Sequence, residues 1–181
     1  MTRLAEKYQK TVVPELIKEF GYTNPHQVPK LVKVVVNAGV GRAVSDSKHL
    51  EHAIATLRKI TAQQPVETVA KKSISTFKLR DGNKIGAAAT LRGDRMYDFL
   101  DRLVSVTLPR IRDFRGISDT AFDAQGNYSL GLNDHSIFAE ISFDEAGVSH
   151  GLQVNIVTTA KTAAEGKRLL ELMGFPFRRI T

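Results

Sequence analysis

Residues 66–108 read VETVAKKSISTFKLRDGNKIGAAATLRGDRMYDFLDRLVSVTL, and the hydrophobic period changes inside this stretch in a way that decides the fold. Residues 66–70 are a short β-favouring run, 71–84 a basic excursion that turns around Asp81 and Gly82, and 85–91 a returning run of the same kind. Two such runs around a turn predict a β-hairpin. From residue 94 the period becomes helical, with Met96, Leu100, Leu103, Val104 and Leu108 recurring on one face until Pro109 breaks the pattern. A hairpin that runs straight into a helix belongs to an α+β layer and not to a regular βαβ alternation.

The flanks extend the same pattern. Residues 2–20 place Leu4, Tyr8, Val12, Leu16 and Phe20 at helical spacing, and Gly21 stands where the helix would end. Pro14 interrupts it: either the helix bends there, the favoured reading, or Thr11 caps a second segment. Residues 31–37, LVKVVVN, read as a strand closed by Gly39 and Gly41, and 46–60 as a helix with Ser45 or Ser47 as its cap. After a Gly-, Asn- and Asp-rich connector, residues 137–143 and 152–158 alternate apolar positions as two further strands, joined through 144–151. The last helix opens at Thr162-Ala163-Ala164-Glu165, a capping-box spacing, and ends near Gly174. This order predicts one domain over 1–181: an α+β fold whose largely antiparallel sheet carries helices on one face and leaves the other open.

Composition narrows the function. There is no cysteine, which removes disulfides, thiolate metal sites and a cysteine nucleophile and suits a reducing cytoplasm. No apolar run approaches the roughly 20 residues needed to span a bilayer, so no membrane partner is expected. The net charge of +7 is unevenly placed: residues 71–116 carry 11 basic and 5 acidic side chains, whereas 117–181 carry 5 and 8. Arg92, Arg95, Arg102, Arg110, Arg112 and Arg115 fall in the basic segment, and guanidinium forks match phosphate geometry. The implied partner is nucleic acid.

Strand parity shows where it could lie. In 33–37 the odd positions are Lys33, Val35 and Asn37; in 86–92 the even ones are Gly86, Ala88, Thr90 and Arg92. Each strand thus has one small or polar face, able to admit a ribose-phosphate chain and suited better to RNA than to duplex DNA. In the excursion, Lys71, Lys72, Ser73, Lys78, Arg80 and Lys84 surround Phe77, whose ring either stacks on a base or packs against the domain, the fate a lone phenylalanine slightly favours. No enzyme is indicated. Residues 37–42, NAGVGR, lack the third glycine of a dinucleotide loop because Val44 occupies its place. His49 and His52 make no HExxH motif and read as surface histidines, and no serine elbow is present. Neither a cofactor nor a metal is expected.

With these residues laid out, the chain resembles the bacterial large-subunit ribosomal protein family that binds 5S ribosomal RNA. The likeness rests on VPKLVKVVVNAGVG, KKSISTFKLRDGNKIGAAATLRGDRMYDFLDRL, LPRIRDFRG, FDAQGNYSLG and TTAKTAAEGKRLLELMGFPFRR, nearly the whole chain. It implies a curved antiparallel sheet that cups 5S RNA in the central protuberance, with polar contacts at Asn37, Gln63 and Thr90; parity adds Lys33 and Arg92 beside them. It further implies that the 71–84 loop reaches transfer RNA in the peptidyl site. Other implied neighbours are 23S RNA and ribosomal proteins, including one of the small-subunit head across an intersubunit bridge. A ribosome-associated, cytoplasmic, non-catalytic role follows from the resemblance.

Overall fold

The computed structural model describes residues 2–141 and 149–178. The chain is α+β: among the described residues, five strands form one open antiparallel sheet in the order β2-β3-β1-β5-β4, where β1 is Leu31–Gly39, β2 Val66–Val69, β3 Lys84–Leu91, β4 Tyr128–Leu132 and β5 Leu152–Thr158. It divides into two compact units, one of residues 1–34, 92–130 and 155–181, the other of 35–91 and 131–154.

In the first unit, the N-terminal helix is α1 (Arg3–Lys7), a π-helical turn (Tyr8–Val12) and α2 (Val13–Phe20). The second helix repeats the device, with α4 (Gly93–Arg102), a π turn (Leu103–Thr107) and a short 3-10 turn (Leu108–Arg110). Each π turn ends two residues before a proline, at Pro14 and Pro109. Proline has no N–H to donate and its ring collides with the carbonyl one turn back. The wide turn supplies the room, with Val13 N–H bonded to Tyr8 O and Leu108 N–H to Leu103 O. This is how Pro14 is accommodated within the helix; Thr11 lies inside the wide turn instead of capping a second segment.

The surplus residue also shifts the helix phase. Met96, Phe99, Leu100, Leu103, Thr107 and Leu108 are buried, whereas Val104, placed in the stripe by simple periodicity, is only half-buried. The last helix, α5 (Ala163–Met173), is capped by Thr162, whose hydroxyl accepts from Glu165 N–H at 3.3 Å, and it stops at Gly174 with φ 105°.

In the second unit, β2 and β3 form the expected antiparallel hairpin, with Val66 opposite Ala88 and Thr68 opposite Gly86. Helix α3 (Lys48–Thr61) packs on β3 through an apolar stripe that includes Leu50, Ala53, Leu57 and Ile60. Its first turn is not served by a serine: Asp46 accepts from Lys48 N–H at 3.0 Å, and the Ser45 hydroxyl donates to Arg42 O instead. Of the glycine pair expected as a turn, Gly39 is the last residue of β1 and Gly41 opens a 3-10 segment, Gly41–Val44.

One strand expectation fails. Residues 137–141 do not form a strand; a 3-10 turn spans His135–Ile137, and Phe138 N–H and Ile141 N–H bond to the carbonyls three residues back. His135, Phe138 and Ile141 are therefore the buried positions, a period of three that an alternating reading mistakes for strand. The rest of that expected strand and most of the 144–151 connection lie outside the described residues. The strand beside β5 is β4, in what read as a connector: Tyr128, Leu130 and Leu132 alternate inward.

Candidate nucleic-acid interface

Within the second unit, β1 and β3 are neighbours, and Val40 N–H donates to Ile85 O at 2.8 Å where they meet. Burial alternates along both. Val36, Ala38, Ala87, Ala89 and Leu91 are buried, whereas Val35, Asn37, Ala88 and Thr90 are half-buried. The side of β3 that α3 covers is thus the apolar one, and the other presents an amide and a hydroxyl among small side chains.

Gly86 departs from the expected role. A Cβ there would lie 2.7 Å from both Ala38 O and Thr68 Oγ1, so its smallness permits close strand packing and does not make room for RNA. Gln63 is the residue that parity could not reach. Helix α3 ends on Ala62 at φ 50°, and the chain then turns so that Gln63 Nε2 donates to Thr90 O at 3.2 Å. The structure thereby joins two proposed contact residues that are 27 positions apart.

Lys33 and Arg92 belong to the first unit. Lys33 is half-buried on β1, and Arg92 is exposed in extended backbone (φ −141°, ψ 164°) just before α4. Arg95, Arg110, Arg112 and Arg115 are exposed as well, whereas Arg102 is half-buried. Among the described residues, none of the exposed five forms an ion pair, in contrast to Arg3 with Asp101 at 2.6 Å or Arg168 with Glu19 at 2.6 Å. Cations left without carboxylates keep their full charge for a polyanion.

The 71–84 excursion is a built hairpin. Ile74 and Leu79 exchange backbone bonds of 2.9 and 3.1 Å, Lys78 closes the tip at φ 51°, and the Ser73 hydroxyl accepts from Asp81 N–H at 2.9 Å. Lys71, Lys72, Ser73, Lys78 and Arg80 are exposed; Lys84 is committed to Glu67 at 2.6 Å. Phe77 does not pack against the body of the protein: it is 70% exposed at the tip.

The motifs that carry the resemblance have structural duties of their own. In FDAQGNYSLG, the Asp123 carboxylate accepts from Gln125 N–H, Asn127 N–H and Asn127 Nδ2, and these bonds, the Asn127 side chain foremost, hold its pKa below the ordinary carboxylate value. Asn127 Oδ1 in turn accepts from Thr158 N–H on β5 at 3.0 Å. Gly126 meets Gly166 of α5 so closely that a Cβ on Gly166 would stand 2.8 Å from Gly126 Cα. In LPRIRDFRG, Gly116 turns at φ 96° against Arg178, and Ile117 N–H donates to Pro176 O at 2.8 Å.

Comparison with known proteins now decides the family. A family described as ribosomal protein L5 matches residues 24–80, and the C-terminal part of the same ribosomal family matches 84–177. The chain belongs to the ribosomal protein L5 family. It is 60% identical to the large ribosomal subunit protein uL5 of Geobacter sp. (strain M21), over 98% of this chain and 99% of that one. It is 54% identical to the uL5 protein of Microcystis aeruginosa over 97% and 98%, and 52% identical to that of Neisseria meningitidis serogroup B over 98% and 99%. As an L5-family member it is a non-enzymatic structural constituent of the large ribosomal subunit, associated with the ribosome.

Proposed function

We propose that this L5-family chain binds 5S ribosomal RNA, with Asn37, Gln63 and Thr90 as polar contacts on the uncovered side of β1 and β3. The observation that carries the reading is the alternation on those strands: apolar positions buried, Asn37 and Thr90 left accessible with a bonded Gln63 beside them. Single-stranded and looped RNA is read by such amide and hydroxyl groups, while cations supply the bulk of the affinity. Lys33 and Arg92 serve as phosphate contacts of the first unit.

The hairpin at 71–84 is assigned to peptidyl-site transfer RNA, through Lys71, Lys72, Ser73, Lys78 and Arg80, with Phe77 as a stacking platform. Lys84 is the least suited of that set because Glu67 already neutralises it. 23S RNA and a protein of the small-subunit head complete the proposed partners, in the cytoplasm.

The test is selection. Purified protein is mixed with 5S RNA, transfer RNA and unrelated RNAs of similar length at moderate salt. Preferential retention of 5S RNA is expected; equal retention of all of them would overturn the reading.

A further inference from the structure

Three of the five histidines of this chain converge in the second unit. His52 comes from the second turn of α3, His135 from the 3-10 turn after β4, and His150 from just before β5. His135 is fully buried, and the other two are half-buried, so His52 is not the surface residue that its sequence context suggests. The imidazoles of His135 and His150 stack at 4.1 Å, and His52 meets both edge-on at 5.5 and 5.7 Å. One nitrogen from each lies within 4.8 Å of the others.

We propose that His52, His135 and His150 form a binding site for a divalent transition-metal ion of the zinc class. Imidazole is the side chain that suits Zn²⁺, Ni²⁺ and Cu²⁺, and three imidazoles with an open fourth position for water make a recognised donor set. Zn–N bonds of about 2.0–2.1 Å put tetrahedral ligands about 3.4 Å apart, so each ring has to move inward by about 1 Å. Loading also fans the stacked pair apart and gives up the 3.3 Å bond in which His135 Nδ1 accepts from His150 N–H, since that bond occupies one lone pair or fixes the proton on the other nitrogen. Asp134 Oδ1, 3.6 Å from His135 Nδ1, is placed to receive that ring's N–H once the metal takes Nε2. A cleft of about 420 Å³ lined by Gly41, Arg42, His49 and Ser149 reaches His150.

The site ties three segments distant in sequence, so its role is to clamp the second unit and not to carry out chemistry. The rival is that the rings are ordinary packing, and metal titration separates the two. Tag-free protein, stripped with chelator, is titrated calorimetrically with Zn²⁺, and separately with Co²⁺ as an absorbance probe. One ion per chain is expected, together with a metal-dependent rise in melting temperature. H52A and H150A should each weaken binding at least tenfold, while H26A, altered at an exposed histidine of the other unit, should not. These two variants avoid the fully buried His135, whose loss threatens folding. Absence of Zn²⁺ binding by the wild type, or binding undiminished in both H52A and H150A, overturns the site.

Discussion

The Gln63 side chain donates to the backbone carbonyl of Thr90, so a residue at the exit of α3 is locked to the edge of the β3 face. Because the acceptor is backbone, the two residues separate cleanly by mutation. Thr90→Ala keeps the bond and removes only the hydroxyl; Gln63→Ala removes both the bond and the amide. If each polar contact is worth about 0.5–1.5 kcal/mol, 5S RNA affinity should fall roughly two- to thirteenfold in T90A and further in Q63A. The melting temperature should fall only in Q63A. Filter binding and thermal denaturation measure the pair; wild-type affinity in both variants would remove these residues from the interface.

Salt dependence tests the arginines. Each phosphate that a variant no longer neutralises should lower the slope of log affinity against log salt by about 0.7–0.9. Arg92→Ala and Arg112→Ala should therefore flatten the slope by nearly one unit each without changing stability, since both side chains are exposed. An unchanged slope would show that the substituted arginine faces away from RNA.

Phe77 offers a test of the hairpin tip. Its exposure means that Phe77→Ala should change stability by no more than about 0.5 kcal/mol. Loss of a stacked base should instead weaken transfer RNA contact by about 1–3 kcal/mol. Crosslinking of ribosome-bound transfer RNA to the loop gives the readout, and unaltered crosslinking would return Phe77 to the role of a bare surface residue.

Gly166→Ala inverts a familiar expectation. Alanine in a helix interior is normally better than glycine by about 1 kcal/mol. Here the new methyl would run into Gly126, and overpacking costs about 1–3 kcal/mol. A net loss of stability is expected in chemical denaturation, and a stabilised G166A would mean that the 123–127 turn yields without cost.

Asp123 makes part of the stability depend on pH. Its carboxyl is held below the ordinary value of 3.8, so its contribution is complete above that value and disappears as pH falls through the lower, folded-state pKa. Wild type should exceed Asp123→Asn in stability at neutral pH, and the gap should close on acidification. A gap that stays constant down to about pH 2 would locate the effect in shape and not in charge.

Local patterns carried most of the fold. The hairpin, α3, β5 and the Thr162 cap were readable because each obeys its own period or cap chemistry. The exceptions came from departures from ideal periods: the two π turns shift helix phase, and the three-residue spacing of His135, Phe138 and Ile141 imitates a strand. Strand β4 escaped notice because Gly131 and the polar Asn127 disguise a short alternation. For the site, parity found the half-buried Asn37 and Thr90, but no pattern in one dimension could join Gln63 to Thr90 or gather His52, His135 and His150. The motifs most diagnostic of the family, around Gly116 and Gly126, hold turns together, which is why recognising them said little about which atoms meet RNA.

The wide turns before Pro14 and Pro109 leave each helix one residue longer than its span requires. Removing a residue inside a helix ordinarily rotates everything beyond it by about 100°, since 3.6 residues make a turn. In these two helices a deletion within the widened segment would restore the regular pitch, and it would then drive the proline ring into the carbonyl four places back. The spare residue cannot be discarded while the ring remains, so a version of this protein shortened within either widened segment must replace the proline at the same time.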